Sequence, residues 1–339
     1  MSSKLGVPFV MIVSPALALA NNGNWQTASR WAGMLGEKLL GKKSVAERYR
    51  THIQMDWHGE ACDVLIALHA KRSAASIAAF TKAHPQRPCI LVLTGTDVYR
   101  DIQTDAAAQA SLRSASHIVV LQGQAVHELP PDLRRKVSVI YQSARALKPV
   151  APPSGRLRVI SVGHLRDEKD PLTYLRAAQR LRDRSDIQFE LIGDALDAKF
   201  KAAALQSAAA NPQFKWLGAL PHAATRQRIK RSQLLVNTSR MEGGAHVILE
   251  AAQSGCAVLA SNVPGNVGML GADHAGLFDL GDDVGLAALI ARSTDDLLFF
   301  QRLRDQTAAR AHLFEPAEEK SRLRKLIQTA LHNKLETSP

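Results

Sequence analysis

Aromatic side chains are scarce in this sequence. Phe, Tyr and Trp make up 5% of its 339 residues, and the few there are do not alternate with Lys and Arg, so the stacking platforms and basic grooves of nucleic-acid binders are not offered. Cysteine is rarer still. Cys62, Cys89 and Cys256 are odd in number, far apart and without metal-ligand or redox spacing. That excludes a disulfide framework and a zinc site, and predicts small buried side chains in a reducing, cytoplasmic compartment. No apolar run reaches the roughly 18–20 residues that a membrane span requires. No G-x-G-x-x-G follows a strand and no Walker A sequence occurs, which removes the usual dinucleotide sites and P-loop ATPase chemistry.

Apolar volume is nonetheless ample. Hydrophobic residues reach 46%, mainly Ala, Leu, Val and Ile, enough for one large or two medium cores. Lys and Arg number 43 against 31 Asp and Glu, a net charge of +12, which predicts anionic partners. Local clusters such as Arg134-Arg135-Lys136 also read as ordinary solvated faces. Near the N-terminus, Lys4, the apolar stretch 7–13 and Ala18-Leu19-Ala20 imitate a secretory signal. The preferred reading is a first buried strand over 7–13 and a loop over 14–24, because helical spacing of Trp25, Ala28, Trp31, Ala32, Leu35 and Leu39 follows directly.

Short apolar runs recur at Val64–Leu68, 90–93, 118–121 and 137–140, separated by helix-compatible segments at 73–82, 105–114 and 122–129. A linker rich in Pro occupies 142–156. The alternation restarts at Leu157–Val162, Ile187–Ile192, 214–217, 234–236, 257–260 and 276–278. Strands alternating with helices predict parallel sheets with helices on both faces. The fold class is thus α/β, with two doubly wound, Rossmann-like domains facing a cleft: 1–148 on the acceptor side, 149–314 for the donor, and a charged amphipathic helix and tail, 315–339, able to cross back onto the first domain. In such sheets ligands bind beyond the carboxyl ends of the strands.

Two loops of the second domain stand out. Gly163-His164-Leu165-Arg166-Asp167-Glu168-Lys169-Asp170-Pro171 follows a strand, and Arg166 and Lys169 either reach a bound diphosphate or pair with their acidic neighbours. After the strand 234–236 come Glu242, Gly243, Gly244, Ala245 and His246, then Glu250. A Gly-Gly pair opening a helix lets an anion approach its amides. Two carboxylates eight residues apart, about 12 Å along a helix, can accept hydrogen bonds from two ends of one ligand. The competing reading makes Glu242 a helix cap and Glu250 an exposed charge. In the first domain, His69, Lys71 and Arg72 follow one strand, and Thr94-Gly95-Thr96-Asp97 another. Asp97 either orients a hydroxylated ligand or caps the next helix.

The second half resembles the retaining GT-B glycosyltransferases of family 4. Gly163, Leu165, Glu168 and Lys169 match their Gly-x-Leu-x-x-Glu-Lys loop, and Glu242, Glu250, Ala251 and Gly255 match their Glu-x7-Glu element followed by Ala-x-x-x-Gly. His164 stands where the family has Arg. The Asp-x-Asp pair of metal-dependent, single-domain glycosyltransferases is missing. The resemblance implies that Lys169 contacts the donor diphosphate, Glu250 the ribose hydroxyls and Glu242 the transferred sugar. With NNGNWQTASRW (21–31), LHAKRSA (68–74), LTGTDVYRDI (93–102), EGGAHVILEA (242–251) and GNVGMLGADHAG (265–276) included, the chain is similar over nearly its whole length to the selenosugar synthases of selenoneine biosynthesis.

That resemblance implies a UDP-sugar donor, UDP-N-acetylglucosamine above all, selenophosphate as acceptor and a 1-selenosugar as product, with no cofactor and no metal. Glu242, Lys169, Arg166, His69 and Asp97 are then the catalytic candidates. Gly23, Asn24, Gly163, Lys169, Gly243, Gly244, Ala245, His246 and Glu250 are the donor-binding ones, with Asn21 and Asn22 beside them. Two other readings stay open: an ordinary sugar or lipid acceptor on the same fold, and a non-catalytic basic binding protein, which leaves the two glutamates without a reason.

Overall fold

In the computed structural model, residues 7–18, 23–36, 49–149 and 155–336 are described. Asn21, Asn22, the end of the signal-like stretch and the centre of the Pro-rich linker lie outside them. The first unit comprises residues up to Gln142 together with those from Pro316 onward, and the second runs from Ser143 to Glu315. The division falls earlier than 148 because the backbone beyond Gln142 already bonds to the second unit. Ala144 N donates to Phe314 O (3.2 Å) and Leu147 N to Gln253 O (2.8 Å).

The first unit contains β1 (Phe9–Val13), α1 (Gly23–Gly36), β2 (Arg50–Gln54), β3 (Val64–Leu68), α2 (Ala74–Ala83), β4 (Cys89–Leu93), α3 (Ile102–Thr104), α4 (Ala106–Ser114), β5 (His117–Val120) and β6 (Val137–Val139). The strands pair in parallel in the order β2-β1-β3-β4-β5-β6. Alternate residues go to opposite faces, as the pleat requires. Met11, Leu65, Leu91 and Ile118 pack with Ile77, Phe80 and Leu112 on one side. Val10, Ile66, Ile90 and Val119 pack with Ala28, Trp31 and Leu35 of α1 on the other. All five residues of β3 and of β4 are buried, which is why they read as unbroken apolar runs. The strand β2, sequence RTHIQ, was not anticipated. It is an edge strand paired only with β1 and largely polar, so it carries no apolar signal.

The second unit contains β7 (Leu157–Val162), α5 (Pro171–Arg180), β8 (Ile187–Ile192), α6 (Ala198–Ala210), β9 (Phe214–Trp216), α7 (His222–Arg231), β10 (Leu234–Asn237), α8 (His246–Ala252), β11 (Ala257–Ser261), α9 (Pro264–Leu270), β12 (Leu277–Phe278), α10 (Asp283–Asp295) and α11 (Leu297–Ala309). Its parallel order is β12-β11-β10-β7-β8-β9. The winding reverses between β1 and β3 in the first sheet and between β7 and β10 in the second. Those are the topological switch points at which open α/β sheets hold ligands.

The last helix, α12 (Pro316–Glu336), packs on the first sheet: Leu323, Leu326 and Ile327 join the cluster around Trp31 and Leu35. Its Glu319 is fully buried and accepts from Trp31 Nε1 (2.7 Å), Arg30 Nε (2.9 Å) and Arg30 Nη2 (3.0 Å). Arg324 Nη2 donates to Met34 O and Leu35 O at the carboxyl end of α1, where a helix leaves carbonyls unsatisfied.

Candidate functional site

At the second switch point two loops are bound together. Residues 167–169 form one tight 3₁₀ turn, ended by Asp170 at φ +43°. This reverses the chain before Pro171 opens α5. Arg240 N donates to Glu168 O (2.9 Å) and Thr238 Oγ1 to Lys169 O (2.9 Å). The loop after β7 is thereby fixed to the loop after β10, and Lys169 Nζ lies 2.6 Å from Glu242 Oε1.

Glu242 is only 8% exposed. Its Oε1 also accepts from Ser239 Oγ (2.6 Å) and Asn237 Nδ2 (3.4 Å). Asn237 Nδ2 in turn donates to Asn266 Oδ1 (3.2 Å), and Asn266 Nδ2 to Ser261 O and Oγ (both 3.0 Å). Gly265 closes the back of the site: a Cβ there would stand 1.9 Å from Glu242 O. Burial acts to raise the Glu242 carboxyl. The Lys169 charge and the bonds from Lys169, Ser239 and Asn237 overcome it, holding the group below the ordinary carboxylate value. Glu242 is therefore a desolvated, ionised acceptor whose cationic partner is part solvent-exposed.

Glu250 is 3% exposed, on α8. Its Oε1 accepts from His222 Nε2 (2.6 Å), with Arg226 Nε 3.9 Å away. The capping and surface-charge reading of this pair is thus excluded: both carboxylates are buried, and Ala245 is the residue before the helix, without a side-chain cap. One expectation is corrected. The helix begins at His246, so Gly243 and Gly244 form a bend ahead of it and the estimate of 12 Å along one continuous helix does not apply. The small residues still leave the helix start uncrowded, with Gly243 and Ala245 buried and Gly244 and His246 half-buried.

Gly163 lies against Lys169, whose side-chain carbons come within 3.5–3.7 Å of where a Cβ would be. Arg166 is not brought into the cluster. It is half exposed, 3.8 Å from Glu168, the surface pairing that the sequence left open. His164 Nδ1 accepts from Asp194 N (3.2 Å) and so fastens the loop after β7 to the loop after β8.

In the first unit His69 is buried at φ +75°. Its Nε2 lies 3.3 Å from Thr96 Oγ1 and 3.8 Å from Asp101 Oδ2, and its Nδ1 3.9 Å from Asp97 Oδ2. Burial lowers its pKa against the pull of Asp97 and Asp101, so near neutral pH it is an uncharged imidazole and supplies no positive charge. Lys71 is exposed and paired with Asp105 at 2.8 Å, and Arg72 is exposed. Asp97 is fully buried. Oδ2 accepts from Ala70 N (2.9 Å), and Oδ1 from Thr94 N (3.0 Å) and Gly95 N (2.8 Å). It joins the loops after β3 and β4 rather than presenting a free carboxylate. Gly23 begins α1, exposed, with nothing within 4 Å of a Cβ, and Asn24 is half-buried in its first turn. Trp31, whose helical spacing marked it out in the sequence, is core. Cys62, Cys89 and Cys256 are buried free thiols.

Sequence reasoning missed the residues that hold the glutamates. Asn237 and Ser239 are adjacent to the motif, and Gly265 and Asn266 lie within a stretch that was quoted, yet nothing local says that Asn266 reaches Asn237. His222 carries no sequence signal.

Residues 143–310 match the family model described as glycosyl transferases group 1. No curated protein matches the chain in sequence. Among solved structures, HepE from Anabaena in complex with UDP-glucose has a TM-score of 0.70 at 13% identity, covering 95% of this chain and all of that one. Sucrose-phosphate synthase from Thermosynechococcus elongatus has 0.74 at 16%, covering 97% and 100%. The pneumococcal O-GlcNAc transferase GtfA in complex with UDP and GlcNAc has 0.61 at 15%, covering 79% and 57%. The fold, two parallel six-stranded sheets flanked by helices, is that of the GT-B glycosyltransferases.

Proposed function

We propose, from the match of residues 143–310 to the model of the glycosyl transferases of group 1, that this chain transfers a sugar from a UDP-sugar, UDP-N-acetylglucosamine foremost, to selenophosphate. The observation that carries the donor half is the Lys169–Glu242 contact of 2.6 Å at the switch point between β7 and β10. A buried carboxylate beside a part-exposed ammonium matches what a nucleotide-sugar brings: sugar hydroxyls for Glu242 and diphosphate oxygens for Lys169. The uncapped start of α8 adds amide donors for the same diphosphate. Glu250, buried on α8, is the carboxylate assigned to the ribose diol. The UDP and UDP-glucose bound to structural relatives support a UDP donor.

Selenium attacks the anomeric carbon as the bond to the diphosphate oxygen breaks. UDP leaves with the bonding electrons, its growing charge stabilised by Lys169 and the helix start. Hydrolysis of the P–Se bond by water then releases phosphate and the 1-selenosugar. The selenium is already a strong nucleophile and needs little help from a base. This agrees with a first unit in which Asp97 is fully occupied and His69 is neutral. The acceptor half is supported by the stretches 21–31, 68–74 and 93–102 and by the +12 net charge.

The test is mass spectrometry after incubation with UDP-N-acetylglucosamine and selenophosphate. A selenium-containing hexosamine and free UDP are expected. Release of UDP only when a sugar or lipid acceptor is supplied overturns the selenium reading and keeps the donor half. In thermal shift, UDP raises the Tm of the wild type and Glu250→Ala loses most of that response. No response to any nucleoside diphosphate overturns the donor half.

A further inference from the structure

The two oxygens of Glu250 have different surroundings. Oε1 accepts from His222 Nε2 at 2.6 Å and has Arg226 Nε at 3.9 Å. Oε2 makes no hydrogen bond among the described residues, and it is not sealed from solvent. His222 and Arg226 are four residues apart on α7 and so share one face. Arg226 is held by its Nη2, which donates to Arg145 O (2.5 Å), while its buried Nε has no hydrogen-bond partner. His222 is half exposed. One oxygen of a buried carboxylate is thus fixed by α7 while the other is left for a donor from outside.

We propose that His222 is a positioning residue for ribose recognition. Its Nε2–H fixes the rotamer of Glu250 so that Oε2 meets a ribose hydroxyl, and His222 itself stands at the rim of the nucleoside end of the site. This rests on the reading of Glu250 as the ribose-binding carboxylate and adds the residue on which its selectivity depends. A carboxylate held in place by a neighbour discriminates sharply against a ligand that lacks the hydroxyl, because the acceptor is then left buried and unpaired. A carboxylate free to rotate back to solvent does not.

The experiment is calorimetric titration of the full chain with UDP and with 2′,3′-dideoxy-UDP, on the wild type, His222→Ala and His222→Gln. The Gln amide can place an N–H close to the position of Nε2. The wild type is expected to prefer UDP by roughly ten- to a hundredfold, the worth of one hydrogen bond to a charged group. In His222→Ala the preference falls to about threefold or less, chiefly through weaker UDP binding, and His222→Gln recovers most of it. A merely structural role for His222 would weaken both nucleotides alike and leave the ratio unchanged, and that result overturns the proposal. A wild type that binds UDP without any preference over the dideoxy analogue overturns the ribose role of Glu250 as well. A wild type that binds neither removes the donor reading itself.

Discussion

Lys169 and Glu242 show how a single pair links stability to the site. Glu242 is buried, Lys169 a quarter exposed, so breaking the contact should cost between the roughly 1 kcal/mol of an exposed pair and the roughly 3–5 kcal/mol of one broken in the interior. Because the Glu242 carboxyl is held below its ordinary 4.5, the pair stabilises the fold above that pH and loses its contribution as pH falls through the lowered value. In Lys169→Met the bonds from Ser239 and Asn237 are left to oppose burial without the ammonium, so the same carboxyl moves up from its wild-type value. The Tm deficit of Lys169→Met against wild type should therefore be largest at pH 7 and shrink below pH 4.5. A deficit independent of pH would mean that Glu242 is not the group left unpaired. The glutamates and Lys169 were legible as residues because Lys169 and Glu242 lie in short, recognisable loops directly after strands and Glu250 in the helix that follows. Their supports were not, since Asn237, Asn266 and His222 act through contacts between segments distant in sequence.

Among the elements, close backbone approach makes the sharpest demands. At Gly265 a Cβ would stand 1.9 Å from Glu242 O and 2.7 Å from Glu242 Cβ. Gly265→Ala must displace the loop after β10, and should abolish most of the UDP thermal shift while lowering Tm by several degrees. Gly23→Ala is the informative companion. Nothing lies within 4 Å of its Cβ, and Ala at the start of a helix is no worse for stability. Gly23→Ala should leave Tm of the ligand-free chain unchanged or slightly raised, and a weakened response to UDP would then report contact with the ligand alone. Element types were readable wherever both faces of a strand are covered, as in β3 and β4. They were unreadable at β2, where an edge position tolerates Arg, Thr, His and Gln. The start of α8 was set too early, because a Gly-Gly pair is compatible with a helix start but does not compel one.

Over the whole molecule, the first unit is not continuous in sequence. Its core is completed by α12, through Leu323, Leu326 and Ile327, and by the fully buried Glu319 with Arg30 and Trp31. Glu319→Ala would strip the Trp31 indole N–H of its acceptor and leave the Arg30 guanidinium its bond to Gln26 O without a carboxylate, a loss of about 3 kcal/mol or more. Hydrogen exchange should rise in α1 and across β1–β5 and stay near wild type in β7–β12. Equal loosening of both units would contradict the division described. The two-unit plan was visible in the rhythm of apolar runs. The exact crossing point at Gln142 was not, because it depends on backbone bonds from Ala144 and Leu147 to partners more than a hundred residues later. There is a consequence for synthesis on the ribosome. Chains emerge from the amino end at about 5–20 residues per second, so the second unit, residues 143–315, is wholly outside before the first possesses its final helix. The domain translated first is the one that finishes last, and until residues 316–336 appear its Trp31 face lies open to chaperones.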